Sequence, residues 1–490
     1  MAASRQAHHL NEQPLPGRHV VFALLSASML AYIMQFGMVS VSIGRLTTDL
    51  NAPLRWSGWV LTMFMIGQVI AMPVVGRISE RVGAKNVFAI GFGLFGLASL
   101  ACAVAPNVYL LIAARALQGA VGGGLQPAGT SLIGHVYGGG RMRAIGYYSS
   151  LMPFGAVLGP VVGGLIVDHF GWRWTFGFNV PLGLAVAVVA FLMLPDAGRR
   201  PQSGRIDSLG MGLLALAVTS LIFALTELGR RQGSPDPVLV GASLAISVAA
   251  LAILVRHERR TASPIIDLDL LSRREFASLN ILSFSFGMSW IGVASTIPLY
   301  AQNAYGFSVA SSGTLLSPRA AVMVISSSVA AYFLPRTGFR KPMLVGMLGL
   351  VVTLVILGRG LHDPTFAGIT IPNYTWLLIV VGSAGVFFGI ANPSMNNAGI
   401  DLAPERIASI AGLRGMFMNL GGTIGIAFVV LIASRAENIG DGLDIAYTVL
   451  AAVLLLSLFA LRAIPELSRS PRVAGPPVEE PVAAPAAGDA

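Results

Sequence analysis

Three arginines lie inside stretches of sequence that are otherwise apolar. They are Arg115, Arg319 and Arg414. A charged side chain inside a lipid bilayer costs a few kcal/mol or more, so each needs partners or marks the path of an anion. Gln118 follows Arg115 by one helical turn and gives it a polar neighbour. A side chain that reaches the membrane surface is the competing interpretation for Arg115 and Arg414.

Other polar side chains in these stretches are candidates for the lining of a transport pathway. A single polar residue more often makes one hydrogen bond between helices, so that alternative stays open for each. Phe286 and Trp290 share a helix face, which suits an apolar ligand or plain packing. The predicted pathway residues are Tyr32, Gln35, Arg115, Gln118, Arg319, Asn392, Asn396 and Arg414.

The segment GAVLGPVVGGLI, residues 155–166, combines apolar residues with glycine and proline. Gly155, Gly159 and Gly163 are spaced by four, so they form one helix face that a neighbouring helix can approach closely. Pro160 removes a backbone N–H and favours a bend. Together with Gly164, these residues predict either a hinge between two packed helices or close packing without motion.

The sequence carries no motif that is typical of an enzyme. It has no P-loop, no HExxH and no GxSxG, and its histidines and its one cysteine, Cys102, have no metal-binding spacing. We therefore expect no catalytic site, no metal and no cofactor. Without a nucleotide-binding loop, any energy for transport has to come from gradients.

The composition indicates a membrane protein. Of the 490 residues, 54% are hydrophobic and 11% are charged, whereas soluble proteins carry about 25% charged residues. Fourteen apolar runs are long enough to cross a hydrocarbon core of about 30 Å. They predict an all-α protein, because a membrane β-barrel would show shorter alternating segments. The runs lie at 19–44, 56–76, 86–105, 108–132, 144–167, 174–195, 208–228, 237–255, 277–300, 310–334, 342–358, 373–397, 407–433 and 445–461.

The net charge of +10 follows from the topology. With the N-terminus inside, the cytoplasmic segments hold 22 of the Lys and Arg residues, the outer segments 7 and the runs 3. This is the positive-inside bias, so we predict a multi-pass protein of the plasma (inner) membrane with both termini in the cytoplasm. The bias explains the charge without a nucleic-acid partner.

Two longer charged loops, 196–207 and 256–276, divide the runs into six, two and six. The short loops RVGAK at 81–85 and RTGFR at 336–340 match each other at equivalent places in the two sets of six, which suggests two repeated halves. The predicted domains are a cytoplasmic segment 1–18, a six-helix bundle 19–195, a linker with two helices 196–276, a second six-helix bundle 277–464, and a disordered cytoplasmic tail 465–490 that is rich in Pro and Ala.

These features resemble the major facilitator superfamily, and within it the fourteen-span drug/proton antiporters. The fifth run carries G-x-x-x-G-P-x-x-G-G, which resembles the antiport signature of that branch. RALQG at 115–119, WRWTFGFNVP at 172–181 and the region 298–319 resemble further motifs in the same order. The resemblance implies two six-helix bundles plus two inserted helices, 14 transmembrane helices in all.

The loop GRISERVGAK at 76–85 resembles the superfamily's loop between spans 2 and 3. The resemblance implies a cytoplasmic gate, whose motif positions are occupied here by Gly76, Glu80, Arg81, Gly83 and Lys85. Glu80 stands where the family usually has Asp. In span 1, Gln35 replaces the usual acidic residue, and because Gln does not titrate, the family's proton-coupling role does not carry over to this position.

The sequence thus predicts a secondary active efflux transporter that exchanges protons for drugs or other amphiphilic small molecules by alternating access. Three arginines without a central carboxylate favour neutral or anionic substrates. Two alternatives stay open: a facilitator or importer of an organic anion, and a membrane sensor that transports nothing. We expect a monomer in the lipid bilayer, and the need for a periplasmic adaptor stays open.

Overall fold

The structure is a computed structural model of the chain. It describes residues 17–51, 54–195, 207–229, 235–261, 264, 266–403 and 406–464. The expectations for residues 1–16, for most of the 196–207 loop and for the tail 465–490 lie outside the described residues.

The predicted all-α membrane fold is confirmed. Thirteen described helices are long and apolar enough to cross a membrane, and a shorter apolar helix occupies the fifth run. Ten spans are single helices: span 1 Arg18–Asp49, span 2 Leu54–Val82, span 3 Ala84–Ala103, span 7 Ser208–Leu228, span 8 Pro237–Glu258, span 9 Arg274–Tyr305, span 11 Arg340–Leu357, span 12 Asn373–Leu402, span 13 Ile407–Arg435 and span 14 Ile439–Ser457. Four are interrupted: span 4 Val108–Gly122 and Leu125–Tyr137, span 5 Arg141–Ser149 and Leu151–Phe170, span 6 Trp174–Gly177 and Asn179–Met193, and span 10 Val309–Thr314 and Leu316–Thr337.

Capping residues fix where several spans begin. Asn107 accepts a hydrogen bond from the backbone N–H of Leu110 at 2.9 Å, and span 4 starts at the next residue. Asp236 accepts one from the N–H of Val238 at 2.9 Å, with Pro237 at the first helical position of span 8. A two-stranded hairpin, Thr365–Phe366 with Ile369–Thr370, connects spans 11 and 12.

The two sets of six spans repeat the same helix pairing. Span 1 packs on span 5, span 2 on span 4 and span 3 on span 6, while span 9 packs on span 13, span 10 on span 12 and span 11 on span 14. The matched short loops also agree, because Gly83 and Gly338 both have positive φ, +95° and +73°, which favours glycine. We call the two sets the N-terminal and the C-terminal bundle; their exact boundaries stay a prediction.

The bundles meet along two faces. Span 13 packs on spans 2 and 4, and span 5 packs on spans 10 and 12. Spans 7 and 8 pack on each other, and span 7 also contacts spans 2 and 13 through an apolar cluster that includes Met72, Val218 and Leu413. Only 17% of the apolar window of span 8 is buried. The inserted pair therefore lies beside the junction, with span 8 facing lipid.

Candidate functional site

Arg115 is fully buried in the N-terminal bundle. Its Nε donates to the carbonyl oxygen of Val60 at 3.0 Å, and a terminal nitrogen donates to Oε1 of Gln118 at 2.7 Å. The guanidinium carbon lies 4.0 Å from the centre of the Phe64 ring, a favourable cation–π geometry. The side chain is enclosed by its neighbours, which supports the interpretation that a buried arginine needs partners.

Gln118 extends this contact into a polar network inside the bundle. Its Nε2 donates to Oγ of Ser99 at 2.7 Å, and the Ser99 hydroxyl donates to the carbonyl oxygen of Phe95 at 2.7 Å. The network joins spans 2, 3 and 4. The one-turn spacing predicted a polar face shared by Arg115 and Gln118, and the two side chains are hydrogen-bonded to each other within one bundle.

The two predicted pathway residues of span 1 hold neighbouring helices. Gln68 donates through Nε2 to the hydroxyl of Tyr32, and Asn179 donates through Nδ2 to Oε1 of Gln35. Tyr32 is 6% exposed and Gln35 is wholly buried. These contacts join span 1 to spans 2 and 6, as the hydrogen-bond alternative predicted. Asn179 lies in the 172–181 motif, but nothing in its sequence context identified its partner.

Arg319 lies in the C-terminal bundle and is 6% exposed. Its guanidinium carbon is 3.5 Å from the centre of the Trp290 ring. Trp290 also stacks on Phe388, with 3.8 Å between ring centres, and Phe388 stacks on Phe286 at 4.7 Å. Phe286 and Trp290 thus share a contact with Phe388, and they do not present a free common face to a ligand.

A small cavity of about 20 Å³, enough for about one water molecule, lies beside Arg319. Spans 9, 10, 11 and 12 supply its lining, so it lies within the C-terminal bundle. Most of the lining is aliphatic, and the polar side chains are Ser289, Trp290, Arg319 and Thr353. The sequence predicted a chamber between the bundles, whereas this cavity lies inside one of them.

Arg414 lies near the junction of the bundles. It is 4% exposed, and a terminal nitrogen lies 3.9 Å from the sulfur of Met418. The adjacent Gly415 packs on Met72 of span 2. All three arginines are therefore buried, but their neighbours differ.

Asn396 joins the two bundles directly. Its Nδ2 donates to Oγ of Ser149 at 2.6 Å, from span 12 to span 5. Asn392 lies one turn earlier and is 3% exposed, and its Oδ1 has no hydrogen-bond partner. At the end of the same two spans, Arg141 forms an ion pair with Asp401 at 3.3 Å. This end of the bundles is the one that the sequence predicts to be cytoplasmic.

The glycine face of span 5 packs against span 1. A Cβ on Gly159 would lie 2.5 Å from the carbonyl oxygen of Met34, and one on Gly163 would lie 2.5 Å from Cα of Met38. A Cβ on Gly155 would lie 2.8 Å from the side chain of Ile33, and Pro160 contacts Gly37, whereas Gly164 has no such neighbour within 4 Å. This geometry favours the packing interpretation, because spans 1 and 5 belong to the same bundle.

Span 13 carries an equivalent face that the sequence analysis missed. A Cβ on Gly421 would lie 2.0 Å from the carbonyl oxygen of Phe284, and one on Gly425 would lie 2.4 Å from that of Met288, both on span 9. The signal was present, since Gly421 and Gly425 are also spaced by four. The pairing of spans 1 and 5 is thus repeated in spans 9 and 13 with the same backbone contact.

Glu80 contacts the other bundle at the predicted cytoplasmic end. One carboxylate oxygen accepts a hydrogen bond from the backbone N–H of Ser409 at 3.1 Å, and Glu80 is 6% exposed. Ser409 lies in the first turn of span 13, where a helix presents free N–H groups and a partial positive charge. The carboxylate therefore caps a helix of the opposite bundle. This contact can hold the two bundles together at the predicted cytoplasmic gate, and we call it the latch.

The other predicted gate residues surround this contact. A Cβ on Gly76 would lie 2.7 Å from the carbonyl oxygen of Ala408, so only glycine allows this approach of spans 2 and 13. Gly83 makes the turn into span 3. Arg81 and Lys85 are half-buried at the same loop.

Asp267 adds an ionic contact that sequence reasoning missed. One carboxylate oxygen lies 3.0 Å from a terminal nitrogen of Arg406, just before span 13, and 3.8 Å from one of Arg77 in span 2. Asp267 also caps the short helix Leu268–Ser272 in the loop after span 8. The loop of the inserted pair therefore touches both bundles at the predicted cytoplasmic end.

Within the part of the chain that the structure describes, no three His, Cys, Asp or Glu residues converge as metal ligands would. The buried polar groups described above are guanidinium, amide, hydroxyl and carboxylate groups in contacts between helices. All of these groups can join helices by hydrogen bonds, and the guanidinium, amide and hydroxyl groups can also donate to an oxyanion.

Comparisons with known proteins agree with this architecture. The profile of the Major Facilitator Superfamily matches residues 24–426. The crystal structure of the human organic anion transporter MFSD10 superposes with a TM-score of 0.63 at 14% identity, over 91% of this chain and 100% of that one. At this identity the likeness concerns the fold alone.

Several curated bacterial proteins are similar over most of the chain. The methylenomycin A resistance protein of Streptomyces coelicolor is 28% identical over 93% of this chain and 96% of its own length. The multidrug export protein EmrB of Escherichia coli is 27% identical over 87% and 83%. The tetracenomycin C resistance and export protein of Streptomyces glaucescens is 28% identical over 82% and 73%.

Proposed function

Because the chain belongs to the major facilitator superfamily, we propose that it exports amphiphilic small molecules across the plasma membrane in exchange for protons. The relatives named for drug resistance or export support this direction. The observation that carries the mechanism is the repeated pairing of spans in two bundles. Two bundles that meet along the faces of a few helices can rock as units and expose a site to each side in turn.

The conformation described here is joined at the predicted cytoplasmic end. Glu80 caps span 13, Asn396 binds Ser149, and Arg141 pairs with Asp401. Each contact links one bundle to the other, so opening of this end requires all of them to break. We infer a cycle in which these contacts form when the site faces outwards and separate when it faces the cytoplasm.

The buried charges support neutral or anionic substrates. Among the described residues, no acidic side chain pairs with Arg319 or Arg414, and Arg115 donates to a carbonyl group and an amide while one terminal nitrogen has no partner. A lipophilic cation would be repelled by this charge. Export of an anion is also favoured by an inside-negative potential, by about 2.3 kcal/mol per charge per 100 mV.

The proton-binding group differs from that of the resembled family, because Gln35 holds the usual acidic position and is bound to Asn179. We propose a monomer with both termini in the cytoplasm and no enzymatic activity. If a periplasmic adaptor is required, the purified protein alone should transport substrate in liposomes. In cells that lack the adaptor, the protein should then not export substrate across the envelope.

Inside-out membrane vesicles test the function. The interior of the vesicles is made acidic. We then measure the uptake of ethidium, a cationic dye, and of 1-naphthylacetate, a hydrophobic weak acid. Vesicles without the protein are the control. We expect the gradient to drive accumulation of the acid more than of the dye. Uptake at the same rate with and without the proton gradient would indicate a facilitator. No uptake of any compound in a broad panel would favour a sensor.

A further inference from the structure

Two buried carboxyl groups lie together at the predicted cytoplasmic end of the inserted spans 7 and 8. Asp207 caps the start of span 7, and Glu258 is the last residue of span 8. Glu258 is 3% exposed, and the side chain of Asp207 is 5% exposed. A Cβ on Gly210 would lie 2.6 Å from Oδ2 of Asp207 and 3.0 Å from Oε1 of Glu258. Both oxygens therefore lie beside the same buried point.

These two oxygens lack a hydrogen-bond donor. Among the described residues, they are the only buried carboxylate oxygens without a partner. The other oxygen of Asp207 accepts from Nε2 of His257 at 2.8 Å and from the backbone N–H of Gly210 at 2.9 Å. The other oxygen of Glu258 accepts from the backbone N–H of Ile266 at 3.3 Å. A carboxylate only accepts, whereas a protonated carboxyl group donates through its O–H, so one proton would satisfy both oxygens.

The charges around the pair compensate it only in part. Among the described residues, Arg77 of span 2 and His257 attract the Glu258 carboxylate, whereas Asp207 repels it. The other basic residues at the end of span 8 are exposed: Arg256, Arg259 and Arg260. Burial and a neighbouring like charge both oppose ionisation of a second carboxyl group, so the pair favours a shared proton.

Arg77 is shared among several carboxylates. Asp267, Glu258 and Glu80 all attract its guanidinium. Arg406, just before span 13, repels it. A terminal nitrogen of Arg77 lies 3.8 Å from a carboxylate oxygen of Asp267. Arg77 therefore gives Glu258 only part of its charge, and it connects the pair electrostatically with Glu80 of the latch.

Glu258 also holds the loop that touches both bundles. It accepts a hydrogen bond from the backbone of Ile266, whose side chain lies in the apolar cluster between spans 2, 7 and 13. The next residue is Asp267, whose carboxylate contacts Arg406 and Arg77. A change of charge on Glu258 therefore acts on a residue that is adjacent in sequence to these ionic contacts.

We propose that Asp207 and Glu258 bind one proton between them, and that this proton keeps the loop after span 8 docked on spans 2 and 13. Loss of the proton places two like charges in one buried site. Their repulsion separates the ends of spans 7 and 8, releases Ile266 and withdraws Asp267 from its two arginines. The site lies at the predicted cytoplasmic end, so its proton comes from the cytoplasm. The inference rests on the proposed alternating movement and gives it a control by cytoplasmic pH.

Infrared difference spectroscopy of the purified full chain in lipid nanodiscs tests proton binding directly. A protonated carboxyl group has a C=O stretching band that neither a carboxylate nor an imidazole has. Exposed carboxyl groups are ionised at about pH 6, so a band that is present there and disappears at higher pH reports buried groups. Glu258→Gln should reduce this band by the area of one carboxyl group. Asp269→Asn, at an exposed position of the same loop, should leave it unchanged. An undiminished band in Glu258→Gln would overturn the proposal.

Spin labels on the full chain in nanodiscs report the movement of the loop. Val82→Cys at the end of span 2 and Arg260→Cys after span 8 are exposed positions, and they are labelled in the Cys102→Ser background. We expect a short distance at low pH and a longer one at high pH. A proton that binds the docked loop one pH unit more tightly than the released loop shifts this equilibrium about tenfold. Glu258→Gln should keep the short distance throughout, and Asp269→Asn should respond like the native chain. A pH response that persists in Glu258→Gln would contradict the site.

Further measurements protect the test. Asp207→Asn should also abolish the pH response, and if this variant does not fold, the native chain and Glu258→Gln still decide the question. Replacement of Na⁺ by K⁺ at constant pH should change neither the band nor the distances. A response to Na⁺ would assign the site to a metal cation and overturn the proposal.

The proton site and the export function also fail separately. If a proton gradient drives export but neither the band nor the distances depend on Glu258, only the proton site is removed. If both readings depend on Glu258 in a protein that transports no probe, the proton site remains and the export function is removed.

Discussion

The carboxylate of Glu80, at the end of span 2, accepts a hydrogen bond from the backbone N–H of Ser409 in the first turn of span 13, at 3.1 Å. The two residues belong to different bundles and are 329 positions apart in the chain. A negative charge at a helix N-terminus is favourable, so this contact stabilises the conformation in which the two bundles touch.

Loss of the Glu80 charge should open the predicted cytoplasmic end. A charge at a helix terminus contributes about 0.3–2 kcal/mol, so Glu80→Gln should shift the equilibrium by a factor of about 2 to 30. The measurement is maleimide labelling of Ser409→Cys, in a Cys102→Ser background, in inside-out vesicles. Glu80→Asp should preserve slow labelling. If Ser409→Cys is labelled at the same rate with Glu80 and with Glu80→Gln, Glu80 does not hold the two bundles together.

Asp267 should add a weaker, salt-sensitive contribution to the same closure. Its contacts with Arg406 and Arg77 are partly exposed, and such pairs contribute about 0–1 kcal/mol. Asp267→Asn should raise the labelling rate at low ionic strength and have little effect at high salt. Asp269→Asn, two residues further along and exposed, is the matched control. An effect of similar size in both variants would refute a specific role for Asp267.

The glycine face of span 5 should be sensitive to added volume at selected positions. Gly159→Ala places a methyl group 2.5 Å from the carbonyl oxygen of Met34, so we expect a loss of about 1–3 kcal/mol of stability. Gly164→Ala meets no atom within 4 Å and should be neutral. Thermal unfolding in detergent measures both. A hinge role would instead leave the Tm of Gly159→Ala unchanged while transport is lost.

Gly425→Ala is the corresponding test in the C-terminal bundle. Its added methyl group would lie 2.4 Å from the carbonyl oxygen of Met288, so its Tm should fall about as much as that of Gly159→Ala. Transport should fall in parallel with stability in both variants. If only the span 5 variant is impaired, the two glycine faces are not equivalent.

Arg115 should be a structural residue of the N-terminal bundle. Replacement by Met removes two hydrogen bonds from a charged donor, one to the carbonyl oxygen of Val60 and one to Oε1 of Gln118, and such bonds contribute about 1.5–3 kcal/mol each. We expect a lower Tm for Arg115→Met and an intermediate one for Arg115→Lys. Arg359→Lys, at an exposed position, is the control. A normal Tm with altered substrate preference would assign Arg115 to the pathway instead.

Much of the fold was predictable because its signals are local. The apolar runs define the spans, Asn107 and Asp236 cap two of them, and the matched loops around Gly83 and Gly338 indicate the repeat. These features depend on residues within a few positions of each other. Composition and spacing are therefore sufficient to find them.

The partners of the polar residues were not predictable, because they come from helices that are distant in sequence. Gln35 was expected to line a pathway and is bound to Asn179, 144 residues away. Asn396 was expected to line a pathway and is bound to Ser149, 247 residues away. Helical periodicity assigns a residue to a face of its own helix, but it does not identify the helix that covers that face.

Alternating movement of the two bundles is tested most directly by a reversible cross-link between spans 5 and 12. Ser149 and Asn396 contact each other across the junction at 2.6 Å, and Cys102 is the one native cysteine. Both residues are replaced by Cys in the Cys102→Ser background, and proton-driven transport is measured in proteoliposomes before and after oxidation.

The account predicts that transport stops in proportion to the disulfide formed and returns when it is reduced. The two single-cysteine variants should be unaffected by oxidation. Undiminished transport by the fully cross-linked protein would contradict the account, because the bundles would then not have to separate at this end.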